Sequence, residues 1–200
     1  TVTNLNKGPV WLTGGITEGV GRKAGLILTA VTRGGYLELR GSGKYYTYSG
    51  DTVINSGTLK IGGETANTGI PNGAGRGDVY INDGGQLAPQ RDETVNGLNG
   101  TAQSVVQGSY YDSTLTVGDN DASGVFDGQI REYLVVLSLT KTGGGIQSLG
   151  GSNTYHGATT INAGTLRIVN TTGSGTGSGG VTVNANGTLD GTGSISGSVS

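Results

Sequence analysis

The sequence predicts an all-β chain wound as a parallel β-solenoid, and three observations carry that prediction. Thr52–Ile61 (TVINSGTLKI) and Thr159–Ile168 (TTINAGTLRI) are identical at seven of ten positions, and a strand–turn–strand unit that recurs along a chain marks stacked repeats. No segment carries a 3.6-residue apolar period; short Val-, Ile- and Thr-rich runs alternate with Gly, Asn, Asp and Ser, the pattern of strands and turns. Gly and Pro make up 45 of 200 residues, but the glycines sit between the runs, and 13% charged residues with a net charge of −2 give little self-repulsion.

Taken in order, residues 10–13 form the first β-like run, followed by 26–32 (LILTAVT) and 36–40 (YLELR), joined through Arg33, Gly34 and Gly35. Glycines at 41 and 43 break the chain before Tyr45, Tyr46 and Tyr48. In the first motif copy, a period of two on each side of the Asn55-Ser56-Gly57 turn puts Ile54, Leu59 and Ile61 inside and Thr58 and Lys60 outside. Residues 62–77 read as a polar loop, after which 78–82 (DVYIN) and 86–88 resume the pattern with Val79, Ile81 and Leu87 inward. The stretch 89–113 is the least regular, with weak strands at 94–98 and 104–107 and a turn edge at 110–112. Residues 114–117 (TLTV) form a clear strand before the Asp-rich turn 118–124. Residues 133–141 (YLVVLSLTK) are the most apolar run, in which Leu134 and Val136 compete with Val135 and Leu137 for the inner face. A strand at 146–149 leads through 153–157 to the second copy, which 181–184 and 188–190 close.

The copies lie 107 positions apart, too far for one coil. At about 20 residues per coil the interval holds roughly five, and coils stacked at about 4.8 Å make a rod on the order of 45 Å long. The chain then divides into a divergent N-terminal coil or cap (1–40), a first super-repeat (41–150) and the start of a second (151–200), in one continuous solenoid. Each coil has too little apolar surface to fold alone, so its inward Val, Ile and Leu pack against the same positions above and below. Gly and Asn at the corners allow positive φ, and Asn55 and Asn162 are expected to hydrogen-bond backbone groups exposed there.

Composition excludes several classes of function. The 12 Lys/Arg are scattered, which argues against nucleic acid, whose binding needs a basic stripe. No run of about 18 apolar residues occurs, so no transmembrane helix is expected. Cysteine is absent, which removes disulfides, thiolate metal sites and cysteine nucleophiles and suits a chain exported unfolded. Thr1 is expected to be a processed or excised end.

The string at 151–166, GSNTYHGATTINAGTL, resembles the autotransporter-associated β-strand repeat. Residues 118–130 (GDNDASGVFDGQI) and 139–145 (LTKTGGG) are similar to segments that precede that string, and 180–197 (GVTVNANGTLDGTGSISG) to its continuation. The resemblance covers roughly 40–200. It implies a right-handed parallel β-helix in a large bacterial surface or secreted protein, often an autotransporter passenger. The first 40 residues match the repeat poorly, and the translocator barrel of a true autotransporter is not among these 200 residues.

Candidate chemistry is sparse. Asp119, Asp121, Ser123 and Asp127 have the spacing of the first part of a calcium loop, but the twelfth position, which needs a bidentate acid, is Ile130. A turn between strands is the competing reading. Arg76-Gly77-Asp78 spells an adhesion tripeptide, and the 41–44 stretch lacks the Ser/Thr and upstream Gly of a phosphate loop. His156 is the single histidine, and its turn position points to the surface rather than a catalytic triad. Asp78/Asp83, Asp92/Glu93 and Asp119/Asp121 are possible acid pairs for a polysaccharide-cleaving β-helix, and Tyr45, Tyr46 and Tyr48, or Tyr110 and Tyr111, are possible sugar-stacking surfaces. The leading expectation is a non-enzymatic structural or adhesive module, extracellular or on the cell surface. It would be a rigid spacer or display rod that stacks end to end on copies or on neighbouring repeats, without a cofactor. A carbohydrate-binding or carbohydrate-degrading β-helix is the alternative, with surface glycans as partners.

Overall fold

The computed structural model describes residues 2–4, 9–19, 21–30, 35–40, 46–62 and 69–200. The first turns are built from β1 (Val2–Asn4), β2 (Pro9–Leu12), β3 (Leu26–Ala30), β4 (Tyr36–Leu39) and β5 (Thr52–Ile61). The middle consists of β6 (Val79–Ile81), β7 (Gly85–Pro89), β8 (Glu93–Thr94), β9 (Leu98–Gly100), β10 (Val105–Ser109) and β11 (Ser113–Val117). Beyond a single 3-10 turn at Asp119–Asp121 come β12 (Gly124–Phe126), β13 (Gln129–Tyr133), β14 (Leu137–Lys141), β15 (Ile146–Leu149), β16 (Thr159–Ile168) and β17 (Val181–Gly191). The described residues contain no α-helix, and the strands pair in parallel throughout. The chain is a β-solenoid.

Each turn of the solenoid crosses three faces. The first face stacks β1, β3, the start of β5, β6, β9, β12, β15 and the ends of β16 and β17. The second stacks β2, β4, the end of β5, β7, β10 and β13. The third stacks β8, β11, β14 and the starts of β16 and β17. On the first face the rungs run Leu28, Ile54, Ile81, Gly100, Phe126, Leu149, Ile168 and Gly191. Those seven turns take 19 to 27 residues each, about 23 on average, rather than the expected 20. At about 4.8 Å per rung, the first face from β1 to β17 is roughly 38 Å long.

The two motif copies do not occupy equivalent places. In β5 the motif bends from the first face to the second, whereas in β16 it bends from the third to the first. The interval between them is therefore four and two-thirds turns, not five whole ones. Both copies turn on a left-handed glycine, Gly57 at φ 81 and Gly164 at φ 65, which a side chain would strain. The corner asparagines also behave differently from expectation. Asn82 donates to Asn55 Oδ1 and Asn184 to Asn162 Oδ1, both at 2.7 Å. These asparagines pair with the asparagine one turn along instead of capping exposed backbone, and in both copies the first of the pair stands where the strand register shifts.

The core is a set of apolar columns. Leu37, Leu59, Leu87, Val106 and Ile130 form one of them on the second face, each 0% exposed. Burial of each such side chain contributes roughly 1.5–3 kcal/mol. On the first face Gly100 lacks a side chain and the Phe126 ring takes its place; a Cβ on Gly100 would strike that ring. Val79, Ile81 and Leu87 are buried as expected. The run 133–141 resolves in favour of Val135, half-buried, and Leu137, buried, over Leu134 and Val136. β13 ends at Tyr133 and residues 134–136 form a corner, with Leu134 88% and Val136 44% exposed, and the regular buried alternation begins at Leu137 and Leu139.

Candidate functional site

Most of the candidate carboxylates hold one turn to the next. The Asp78 amide donates to Asp51 Oδ1 at 2.9 Å, the Gly97 amide to Asp78 at 2.8 Å and the Thr114 amide to Asp92 at 2.7 Å. The Val136 amide likewise donates to Asp112 at 2.8 Å and the Gly144 amide to Asp121 at 2.6 Å. In every case the donor lies 19 to 27 residues downstream, which is one turn. Glu93, buried on the third face, accepts the Ile70 amide at 2.7 Å, and Asp83 accepts the Thr101 hydroxyl. The pairs Asp78/Asp83, Asp92/Glu93 and Asp119/Asp121 thus have members committed to hydrogen bonds between turns.

The proposed calcium ligands do not converge. Asp121 and Ser123 receive the amides of Gly144 and Ile146, Asp119 receives that of Asn120, and Asp127 lies exposed beyond β12. The three extended residues of β12 stand between Ser123 and Asp127. Among the described residues no three Asp, Glu or His side chains are placed to hold a metal ion. Melting curves in millimolar calcium and in excess chelator are expected to superimpose, and a calcium-dependent rise in Tm would restore the loop as a metal site.

The other sequence candidates separate cleanly. Arg76 donates to the carbonyls of Thr47 and Tyr48, so both charged ends of the Arg76-Gly77-Asp78 tripeptide are tied to neighbouring turns. His156 is on the surface, its Nδ1 against Glu132, which also caps the Leu137 amide at 2.6 Å. Tyr46 and Tyr48 are buried, and the Tyr48 hydroxyl bonds Thr52 at 2.7 Å. They belong to the core, so the 45–48 cluster is not a sugar-stacking surface as a whole. Burial pushes the Tyr48 and Tyr155 hydroxyls far above the usual range. Tyr45, Arg33, Gly34 and the 41–44 stretch lie outside the described residues.

Tyr110 and Tyr111 are different. They are 73% and 46% exposed, with ring centroids 4.9 Å apart and planes at 73°. They border a cleft of about 480 Å³ on the second face, together with Tyr36, Glu38, Arg40, Lys60 and Arg91. Each cation lies over an aromatic ring: Lys60 over Tyr36 at 3.7 Å, Arg91 over Tyr111 at 4.3 Å and Arg40 over Trp11 at 4.5 Å. Glu38 forms a two-point ion pair with Arg40, at 3.0 and 3.1 Å, and this hydrogen bond raises the Arg40 pKa. Sequence reasoning found the tyrosines but not the cations. These come from successive turns of unequal length, so no fixed spacing links them.

Two buried polar side chains also escaped the sequence. Lys141, in register with Val117 and Ile161, is fully buried. Its ammonium donates to the carbonyls of Thr142, Gly143 (2.8 Å) and Ala163 (3.2 Å), and burial lowers its pKa while Asp121 acts the other way. Gln147 reaches back two turns, accepting from the Leu98 amide at 3.2 Å and donating to the Leu98 carbonyl at 2.9 Å. Both side chains satisfy backbone groups and leave nothing open to a substrate.

The Passenger-associated-transport-repeat family matches the chain at two places, residues 34–61 and 139–168. Each match ends on the last isoleucine of one motif copy, Ile61 or Ile168, in agreement with the resemblance read from the residues. No curated protein and no solved structure matches the chain.

Proposed function

We propose that this chain is a rigid spacer or display rod of a secreted or cell-surface protein, non-enzymatic, stacking end to end on a copy or on neighbouring repeats. The passenger-type repeat together with the β-solenoid fold fits a secreted or surface module. The observation that carries the structural role is the use of the carboxylates. Five aspartates, at 51, 78, 92, 112 and 121, each accept a backbone amide one turn along, which stiffens the rod and leaves these acids poorly suited to proton transfer. Stacking on a copy or on neighbouring repeats is supported by a shallow hollow in which Leu189 and Ile195, both half-buried, meet Ile168. A further coil laid over it would bury them.

Small-angle scattering should return an elongated particle about 40 Å long whose cross-section is that of a single solenoid. Sedimentation over a concentration series should show association that Leu189→Arg abolishes. A compact particle would overturn the rod, and a chain that stays monomeric at every concentration would overturn stacking while leaving the rod intact.

A further inference from the structure

The corner between the second and third faces widens midway along the rod. From Gln86 to Glu93 the chain takes seven residues, whereas the positions in register one turn later, Val105 and Leu115, are ten apart. The next turn, from Gln129 to Leu139, keeps the longer corner. Tyr110 and Tyr111 lie in this added length and overhang the narrower turns below. The two stacked corners each place a large non-glycine residue at positive φ, Tyr110 at 91 and Leu134 at 59, and hold its side chain in solvent. Neither packing nor turn chemistry asks for a tyrosine or a leucine there, and strain of this kind collects where a surface serves binding.

Beneath the overhang, charge is segregated against the trend of the chain. The protein carries −2 overall, yet among the described residues this cleft is bordered by Arg40, Lys60 and Arg91 and by one carboxylate, Glu38, which pairs with Arg40. Lys60 lies on the middle of three consecutive second-face rungs, in register with Glu38 and Ala88, and Arg40 and Arg91 follow the rungs on either side of it, so the three cations belong to successive turns. Their aromatic partners hold the cationic groups in place before any ligand arrives.

We propose that this cleft binds an acidic polysaccharide, a linear glycan with a carboxylate on each sugar, lying along the rod axis. The carboxylates meet Arg40, Lys60 and Arg91, and the apolar face of a pyranose packs on Tyr110 and Tyr111. A nucleic acid is disfavoured because counterion release scales with the number of phosphates neutralised, and three cations on an acidic chain supply few. The proposal goes beyond the rod and does not depend on stacking.

The test is calorimetric titration of the whole chain, at low salt, with an oligomer of galacturonic acid, a neutral cello-oligomer of equal length, and a single-stranded oligonucleotide of equal charge. The galacturonate oligomer should bind, weakening at least about tenfold for Arg91→Gln and for Lys60→Gln and staying unchanged for Arg167→Gln, whose side chain pairs with Asp190 away from the cleft. Melting curves verify that each variant is folded, and Lys60→Gln carries the test if Arg91→Gln is not. Absence of galacturonate binding, equal binding of the neutral oligomer, tighter binding of the oligonucleotide, or full affinity in both cleft variants would each overturn the proposal.

Discussion

Replacing Gly164 with valine should destabilise the chain by at least about 3 kcal/mol, read as a lower Tm and urea midpoint. Two effects add. The backbone at φ 65 is left-handed, which for a β-branched residue costs on the order of 1–3 kcal/mol. A Cβ would also collide with the carbonyl oxygens of Gly143 and Gly145 in the turn beneath, and backbone has no easy way to give. Gly84 separates the two effects, because it has φ 81 but nothing within 4 Å of where a methyl group would sit. Gly84→Ala should cost only the conformational part, about 1 kcal/mol. If the two substitutions cost the same, close stacking at the corner is not what fixes the glycine in this motif.

Gln147→Leu should cost about 2–5 kcal/mol. On the first face Gly124 stands in register with Gln147, and the space above it is filled by the Gln147 amide reaching Leu98. The side chain acts as a missing rung, since β9 and β12 pair only at Gly100 and Phe126. Leucine preserves apolar volume but leaves the buried Leu98 amide and carbonyl without this partner, at roughly 1–3 kcal/mol per group. Hydrogen exchange at the Leu98 amide should accelerate in the variant. Gln129→Leu is the control: its amide donates only to the exposed Ser152 carbonyl, so a change within about 0.5 kcal/mol is expected.

These residues mark where the sequence is informative. The motif copies, the inward positions Ile54, Leu59, Ile61, Val79, Ile81 and Leu87, and the solenoid itself follow from period-two patterning and repetition, which are local properties. Turn length is less visible because no residue type marks a coil boundary; the turns vary from 19 to 27 residues. Lys141 and Gln147 are hidden for a related reason. Polarity argues that they face water, and only the stacked neighbours reveal the carbonyls and amide they serve. For 133–141, apolar content suggests one strand throughout, whereas β13 ends at Tyr133 and a corner takes up Leu134 to Val136. The cleft on the second face is half legible: Tyr110 and Tyr111 stand together in the sequence, while Arg40, Lys60 and Arg91 meet only through the winding.

The offset between the motif copies also sets a direction of display. The outward basic position of the motif is Lys60 on the second face and Arg167 on the first, so the same chemistry points out of the rod a third of a revolution apart. If further copies followed at the same interval, the outward position would visit each face in succession and return to its starting face with the third interval. A repeat in step with the winding would draw one stripe down one side. This one works as a vernier, distributing basic side chains around the circumference so that the rod presents them whichever way it lies.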